Sequence, residues 1–283
     1  MELLDELVGG AREAAWPFLK QDLGLSYIQI GLLLGLPALL SGFLDPLVGV
    51  LSDMGRRRLL VVAGGTLFAV SLFLTAASGG FWVLLLSFVL FYPASGAFVN
   101  LSQAELMDRQ PRRRDQNMAR WTFAGSAGAL VGPLALGGLA GVGLGWRGLY
   151  AAVAVLSVAA LVLAARVAFP AATRRRSRRK TIPFTVRGVA SAVLRALANG
   201  EVVRWLVLLE LANLMLDVLF GFLALYFVQA TGVTPAQAAL AVAVWSGAEL
   251  CGDFLIIPLL GRTDGIIYVR ISAGLALIAG PRG

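Results

Sequence analysis

Apolar runs of the length a helix needs to cross a bilayer, about 20 residues, recur along this chain with only short charged turns between them. They fall at roughly 3–18, 26–51, 59–78, 81–106, 121–142, 147–168, 202–229, 236–259 and 265–280. A chain built this way has few options. In hydrocarbon every backbone N–H and C=O must be satisfied within the segment, and a helix does that by itself. The expected fold is therefore an all-α integral membrane bundle. Composition agrees: 14% of residues are charged and mean hydropathy is +0.81, against about 25% charged for a soluble domain.

The formal net charge of +8 does not point to nucleic acid, because the basic residues lie in the turns between apolar runs. All but Arg12, Lys20, Arg147 and Arg282 of the 24 Lys and Arg residues fall on alternate connections. Cytoplasmic loops carry such an excess, so the N-terminus and the central linker are expected in the cytoplasm, in a multi-pass protein of the cell (inner) membrane. The first residues include Glu2, Asp5 and Glu6, unlike a basic leader, so a cleavable signal peptide is not expected. Histidine is absent and Cys251 is the one cysteine. Disulfides, Cys/His zinc sites and His-dependent triads are thereby excluded. We expect no enzyme activity, no metal and no cofactor, and a packing role for Cys251.

Residues 170–201 differ from the other turns. Arg174–Arg176 and Arg178–Lys180 open the segment, and apolar residues at helical spacing come after them. It reads as a basic cytoplasmic linker whose second half is either an interfacial helix or plain solvated chain. It separates six spans in 1–169 from three in 202–283. The two parts resemble each other: Gly24-Leu25-Ser26 recurs as Gly232-Val233-Thr234, and Gln29 and Asp45 recur as Gln237 and Asp253 at the same offset. With a one-turn shift, Asp5 pairs with Asp217 and Gly9 with Gly221. A parallel repeat at six-helix spacing is a mark of one transporter architecture.

Charges also lie inside the spans. Glu2, Asp5, Glu6, Arg12 and Glu13 share an arc of about 120° on the first helix, with Gly9 and Trp16. A charge at mid-bilayer costs about 3 kcal/mol, so this face must line water or pair with other helices. The seventh span places Glu210, Asn213, Asp217 and Gly221 on one face, and the eighth places Trp245, Glu249 and Asp253 together. For each acid alone, a structural bond to a neighbouring helix remains an alternative. As a set they predict a solute or ion pathway, for which we select Asp5, Glu13, Trp16, Asn213, Asp217, Trp245 and Glu249. Small-residue stripes, Gly31-Gly35-Gly42-Gly49 in the second span and Gly125-Gly128-Gly132 with Pro133 in the fifth, predict close helix packing.

Between the second and third spans stands Gly49-Val-Leu51-Ser-Asp53-Met54-Gly-Arg56-Arg57-Arg58. It resembles the Gly-x-Leu-x-Asp-Arg-x-Gly-Arg-Arg loop of the major facilitator superfamily. Gly49, Leu51, Asp53, Arg57 and Arg58 are in register; Met54 replaces the first arginine and Arg56 the later glycine. The run Gly128–Pro133 is similar to the family's fifth-helix Gly-Pro motif, with Gly137-Gly138 one residue late. The fourth-helix arginine motif linked to proton coupling has no counterpart at Tyr92–Gly96.

The resemblance implies a monomeric secondary transporter of a small solute. It comprises a complete N-terminal six-helix half and about three helices of the second, rocking about a central cavity by alternating access. It implies a cytoplasmic latch of Gly49, Asp53, Arg57 and Arg58, and helix packing through Gly128, Gly132 and Pro133. The stretch Lys20–Gly31 is similar to efflux-type members. Proton or cation coupling is an expectation from the acids. The family has twelve spans, so a truncated chain is expected, with a non-transporting remnant or membrane assembly partner as the alternative function.

Overall fold

The computed structural model describes residues 1–111, 114–166 and 198–260. The expectations for Arg112 and Arg113, for all but the end of the linker, and for the ninth span lie outside these residues, as do the side chains of Asp53, Glu210, Asn213, Asp217 and Asp253.

The first eight expected spans are helices: α1 (Glu2–Leu23), α2 (Tyr27–Leu51), α3 (Arg57–Ala76), α4 (Phe81–Arg109), α5 (Arg114–Gly141), α6 (Gly145–Arg166), α7 (Gly200–Thr231) and α8 (Pro235–Leu260). Among the described residues, five of them (α2, α3, α4, α6 and the Arg120–Gly141 part of α5) are long and apolar enough to cross a membrane. α1 is not in that set because charge interrupts it. α1 and α5 are longer than their apolar runs: α1 continues through Lys20 and Asp22, and α5 begins at Arg114 rather than 121. Hydropathy reports where lipid is, whereas a helix continues until its backbone is capped.

Those caps are legible. α1 ends on Gly24 at φ 63°, and Ser26 opens α2 with a capping box: Ser26 Oγ accepts from the Gln29 amide at 3.2 Å, and Gln29 Oε1 accepts from the Ser26 amide at 2.8 Å. α7 ends on Gly232 at φ 70°, and Thr234 with Gln237 makes the same reciprocal pair at 3.3 and 2.9 Å. The matched Gly24/Gly232, Ser26/Thr234 and Gln29/Gln237 of the internal repeat are thus helix punctuation, two reciprocal bonds each satisfying an otherwise orphaned N–H.

α1 lies at the centre, touching α5, α6, α7 and α8, while α3 packs between α4 and α6, and α2 lies on α4. The buried face of α1 is Leu7, Val8, Ala11, Ala14, Ala15 and Leu19, together with Trp16. Its closest neighbour is α5, and the reason is glycine. A Cβ on Gly128 would lie 2.4 Å from the Leu3 carbonyl oxygen, one on Gly132 2.3 Å from that of Leu7, and one on Gly10 2.3 Å from that of Ala129. The helices therefore meet backbone to backbone, with Pro133 buried beside the contact. Polar glue adds to this elsewhere: the buried Thr75 Oγ1–H donates to Ser87 Oγ at 3.0 Å between α3 and α4, an interhelical bond that lipid cannot replace.

Two packing expectations fail. The α2 glycines Gly31, Gly35, Gly42 and Gly49 have nothing within 4 Å of where a Cβ would be. They open space instead of drawing in a helix. Cys251 is exposed on α8, on a face that no described helix covers. The outer surface is apolar, as a bilayer requires: Ile28 and Phe43 of α2 are each 77% exposed.

The backbone contact generates a prediction. Gly132→Ala drives a methyl into the Leu7 carbonyl oxygen and the Ala11 nitrogen, and should cost about 1–3 kcal/mol as overpacking. Gly138→Ala, with nothing within 4 Å, should be neutral or slightly stabilising. Unfolding midpoints of the two variants in detergent compare them directly; equal midpoints would mean the α1–α5 contact is looser than described.

Candidate functional site

A cavity of about 430 Å³ lies between α1, α2, α4 and α7. Arg12 and Glu13 line it from α1, Gly31, Leu34 and Gly35 from α2, Tyr92 from α4, and Gly221 with Phe222 from α7. The glycines carry its width. With no side chains at 31 and 35, α2 leaves room where another residue would fill it. Arg12 holds its guanidinium carbon 5.1 Å from the centre of the Tyr92 ring, a cation–π distance.

The selected pathway residues are placed differently from one another. Glu13 lines the cavity. Asp5, a little over two turns earlier, accepts a hydrogen bond from Ser95 Oγ at 2.8 Å and ties α1 to α4. Trp16 does not reach the cavity: it is 0% exposed and stands edge-on to Phe88, ring centres 6.0 Å apart. Although it stands one turn beyond Arg12 on the same helix face, its large ring is taken up by packing. Glu249 on α8 lies within electrostatic reach of Glu6 on α1, and Trp245 is 44% exposed one turn before it. Asn213 and Asp217 stand two turns and one turn before Gly221 in α7. Arg12 and Tyr92 were not among the selected residues. The signal for Arg12 was present, since it was the one base on an otherwise acidic face.

At the arginine-rich end, Gly55 adopts φ 85° within a π-helical turn, Ser52–Arg56, that joins α2 to α3. A left-handed residue is what this sharp turn requires, so the glycine expected at 56 is supplied one position earlier. Arg57 then reaches α4. Its Nη1 lies 2.8 Å from Asp108 Oδ2 and 3.1 Å from Glu105 Oε2, and its Nε donates to Ser52 Oγ at 3.1 Å. Arg109 pairs with Glu105 at 2.8 Å, and Arg58 donates to the Ala165 carbonyl of α6 at 3.3 Å. Sequence reasoning missed Glu105 and Asp108. Glu105 stands three residues before Asp108 and four before Arg109, so it shares a helix face with each, but nothing local indicates that Arg57 is opposite.

The other end carries its own ties. Asp22 of α1 accepts from Trp146 Nε1 at 2.8 Å and from Arg147 at 3.1 Å, and Arg147 also donates to the Ser78 carbonyl at 3.1 Å. Tyr27, at the start of α2, takes Lys20 over its ring at 4.3 Å and bonds to Gln229 of α7.

A polytopic helical bundle with a cavity that sets a few charged side chains in an apolar wall fits a solute transporter. The chain belongs to the Major Facilitator Superfamily, whose family model matches residues 10–281. It is thus a multi-pass membrane protein of a family that moves small solutes and whose members are transporters, not enzymes. No curated protein matches the chain.

The Arg57 cluster makes a graded prediction. Glu105 is 16% exposed and Asp108 54%, so solvent screens the shorter bond more. Double-mutant cycles on unfolding in detergent should give Arg57–Glu105 a coupling of about 1–2 kcal/mol and Arg57–Asp108 below about 1 kcal/mol. A larger coupling to Asp108 would mean distance, not burial, decides.

Proposed function

We propose that this chain is a secondary transporter that carries a small solute by alternating access, in the export direction, across the cell (inner) membrane with its N-terminus and linker in the cytoplasm. The observation that carries this reading is the cavity itself, lined from α1, α2 and α4 on one side and α7 on the other. A site shared between helices before and after the linker changes shape when the six-helix unit moves against α7 and α8. In this reading Glu13 contacts solute or coupling ion in the cavity, and Asn213, Asp217, Trp245 and Glu249 belong to the same pathway. Asp5 supports α1 against α4.

In the same reading Gly49, Asp53, Arg57 and Arg58 act as the cytoplasmic latch. Gly55 sets the turn, and Arg57 anchors it to the end of α4 while the helices move. The Tyr27–Gln229 bond stands at the opposite mouth, where α2 and α7 approach. Proton or cation coupling through the acids of α1 fits a buried carboxylate row, and a monomer suffices because both walls of the cavity come from one chain.

Reconstituted into proteoliposomes with a panel of labelled amphipathic solutes, the chain should show saturable counterflow. Glu13→Gln and Asp217→Asn should lower its rate at least tenfold, about 1.4 kcal/mol, with normal amounts of folded protein in the membrane. Counterflow unchanged in both variants would remove these residues from the pathway. Absence of counterflow for every solute would remove the transport reading.

A further inference from the structure

The transport reading leaves the solute unnamed, and the inference drawn here rests on that reading and concerns the chemistry of the solute. Arg12 is half-buried in the cavity wall. Its Nε is closed off from water and bonded to nothing among the described residues. Its close partner there is the face of Tyr92. That contact gives the Nε donor no oxygen or nitrogen acceptor. Asp5 and Glu13 attract it from longer range, with Asp5 already held by Ser95. A guanidinium with one donor lacking an acceptor, on a side chain that also lines the cavity, is under-satisfied where a solute can reach its accessible part, and its fork geometry matches a carboxylate or similar oxyanion.

The surroundings narrow the choice. Glu13 lines the same wall, and Glu6, close to Glu249, also lies within electrostatic reach of Arg12. A plain anion would meet the Glu13 carboxylate together with the guanidinium, and a plain cation would meet the guanidinium. A solute bearing both charges meets each with its opposite. The remaining wall is apolar, from Leu34, Ala38, Val218 and Phe222, and the volume of about 430 Å³ is within the range for small-molecule sites, about 300–1,000 Å³. We infer that the cavity takes a small zwitterion with an apolar body, its oxyanion seated on Arg12 and its ammonium toward Glu13.

The test is equilibrium binding of tritiated phenylalanine to the detergent-purified full chain, which does not require transport. Saturable binding displaced by leucine is expected. Phenylalanine methyl ester and phenethylamine, which lack the anion, and 3-phenylpropionate, which lacks the ammonium, should each compete at least tenfold less well. Arg12→Gln should weaken phenylalanine binding at least tenfold, with Arg12→Lys intermediate. The comparison of competitors uses the unaltered chain, so it stands even where Arg12→Gln does not fold. No saturable phenylalanine binding, or methyl ester or phenethylamine displacing it as well as leucine does, would overturn the inference. Binding as expected without counterflow would support it and count against the transport reading alone.

Discussion

Everything in this structure depends on keeping one charged helix out of lipid. α1 carries Glu2, Asp5, Glu6, Arg12 and Glu13, and exposure of even one of them at mid-bilayer would cost about 3 kcal/mol. The remedy is central placement. Its apolar face, from Leu7 to Leu19, is covered by neighbouring helices, and the glycines of α5 let that helix approach to backbone contact. The charged residues then meet polar neighbours, among them Ser95, Tyr92 and Trp121, and the cavity. A helix unfit to face lipid becomes the wall of an aqueous site for that same reason.

Glycine has two opposite uses in this arrangement. In α5 it removes side chains so that a helix can come closer; in α2 it removes them so that nothing has to. Gly132 sits against the Leu7 carbonyl, whereas Gly31 and Gly35 border open volume. The spacing of the two stripes is similar, so sequence alone assigns both to packing. Only the position of α1, which touches α5 closely, separates them. The same holds for Trp16 and Glu13, neighbours on one helical arc: the ring packs on Phe88 and Glu13 lines the cavity.

Most of the fold could be read from the chain because its determinants are local. Length and hydropathy mark the helices, and Gly24 with Ser26 and Gln29, or Gly232 with Thr234 and Gln237, mark where one ends and the next begins. The part that could not be read is long-range. Arg57 was legible as part of a latch, but its partners Glu105 and Asp108 are about fifty positions away in sequence, and their identity depends on how α3 lies on α4. Arg12 was visible as a charge, yet that its Nε lacks a bonded acceptor is a property of the assembled bundle. The missing glycine at 56 shows the reverse case: a residue judged absent by register is present at 55, where φ demands it.

The central claim is that the charged face of α1 borders water while the outer face of α2 borders lipid. Maleimides react with thiolates only where water reaches, so single cysteines placed in a Cys251→Ser background read this directly in native membranes. Glu13→Cys and Gly35→Cys, both at the cavity, should label readily; Ala15→Cys, at 0% exposure, and Leu39→Cys, at 65% but facing lipid, should not. Labelling of Leu39→Cys with Glu13→Cys silent would contradict the account, because the helix bearing the charges would then not be the one that lines the water.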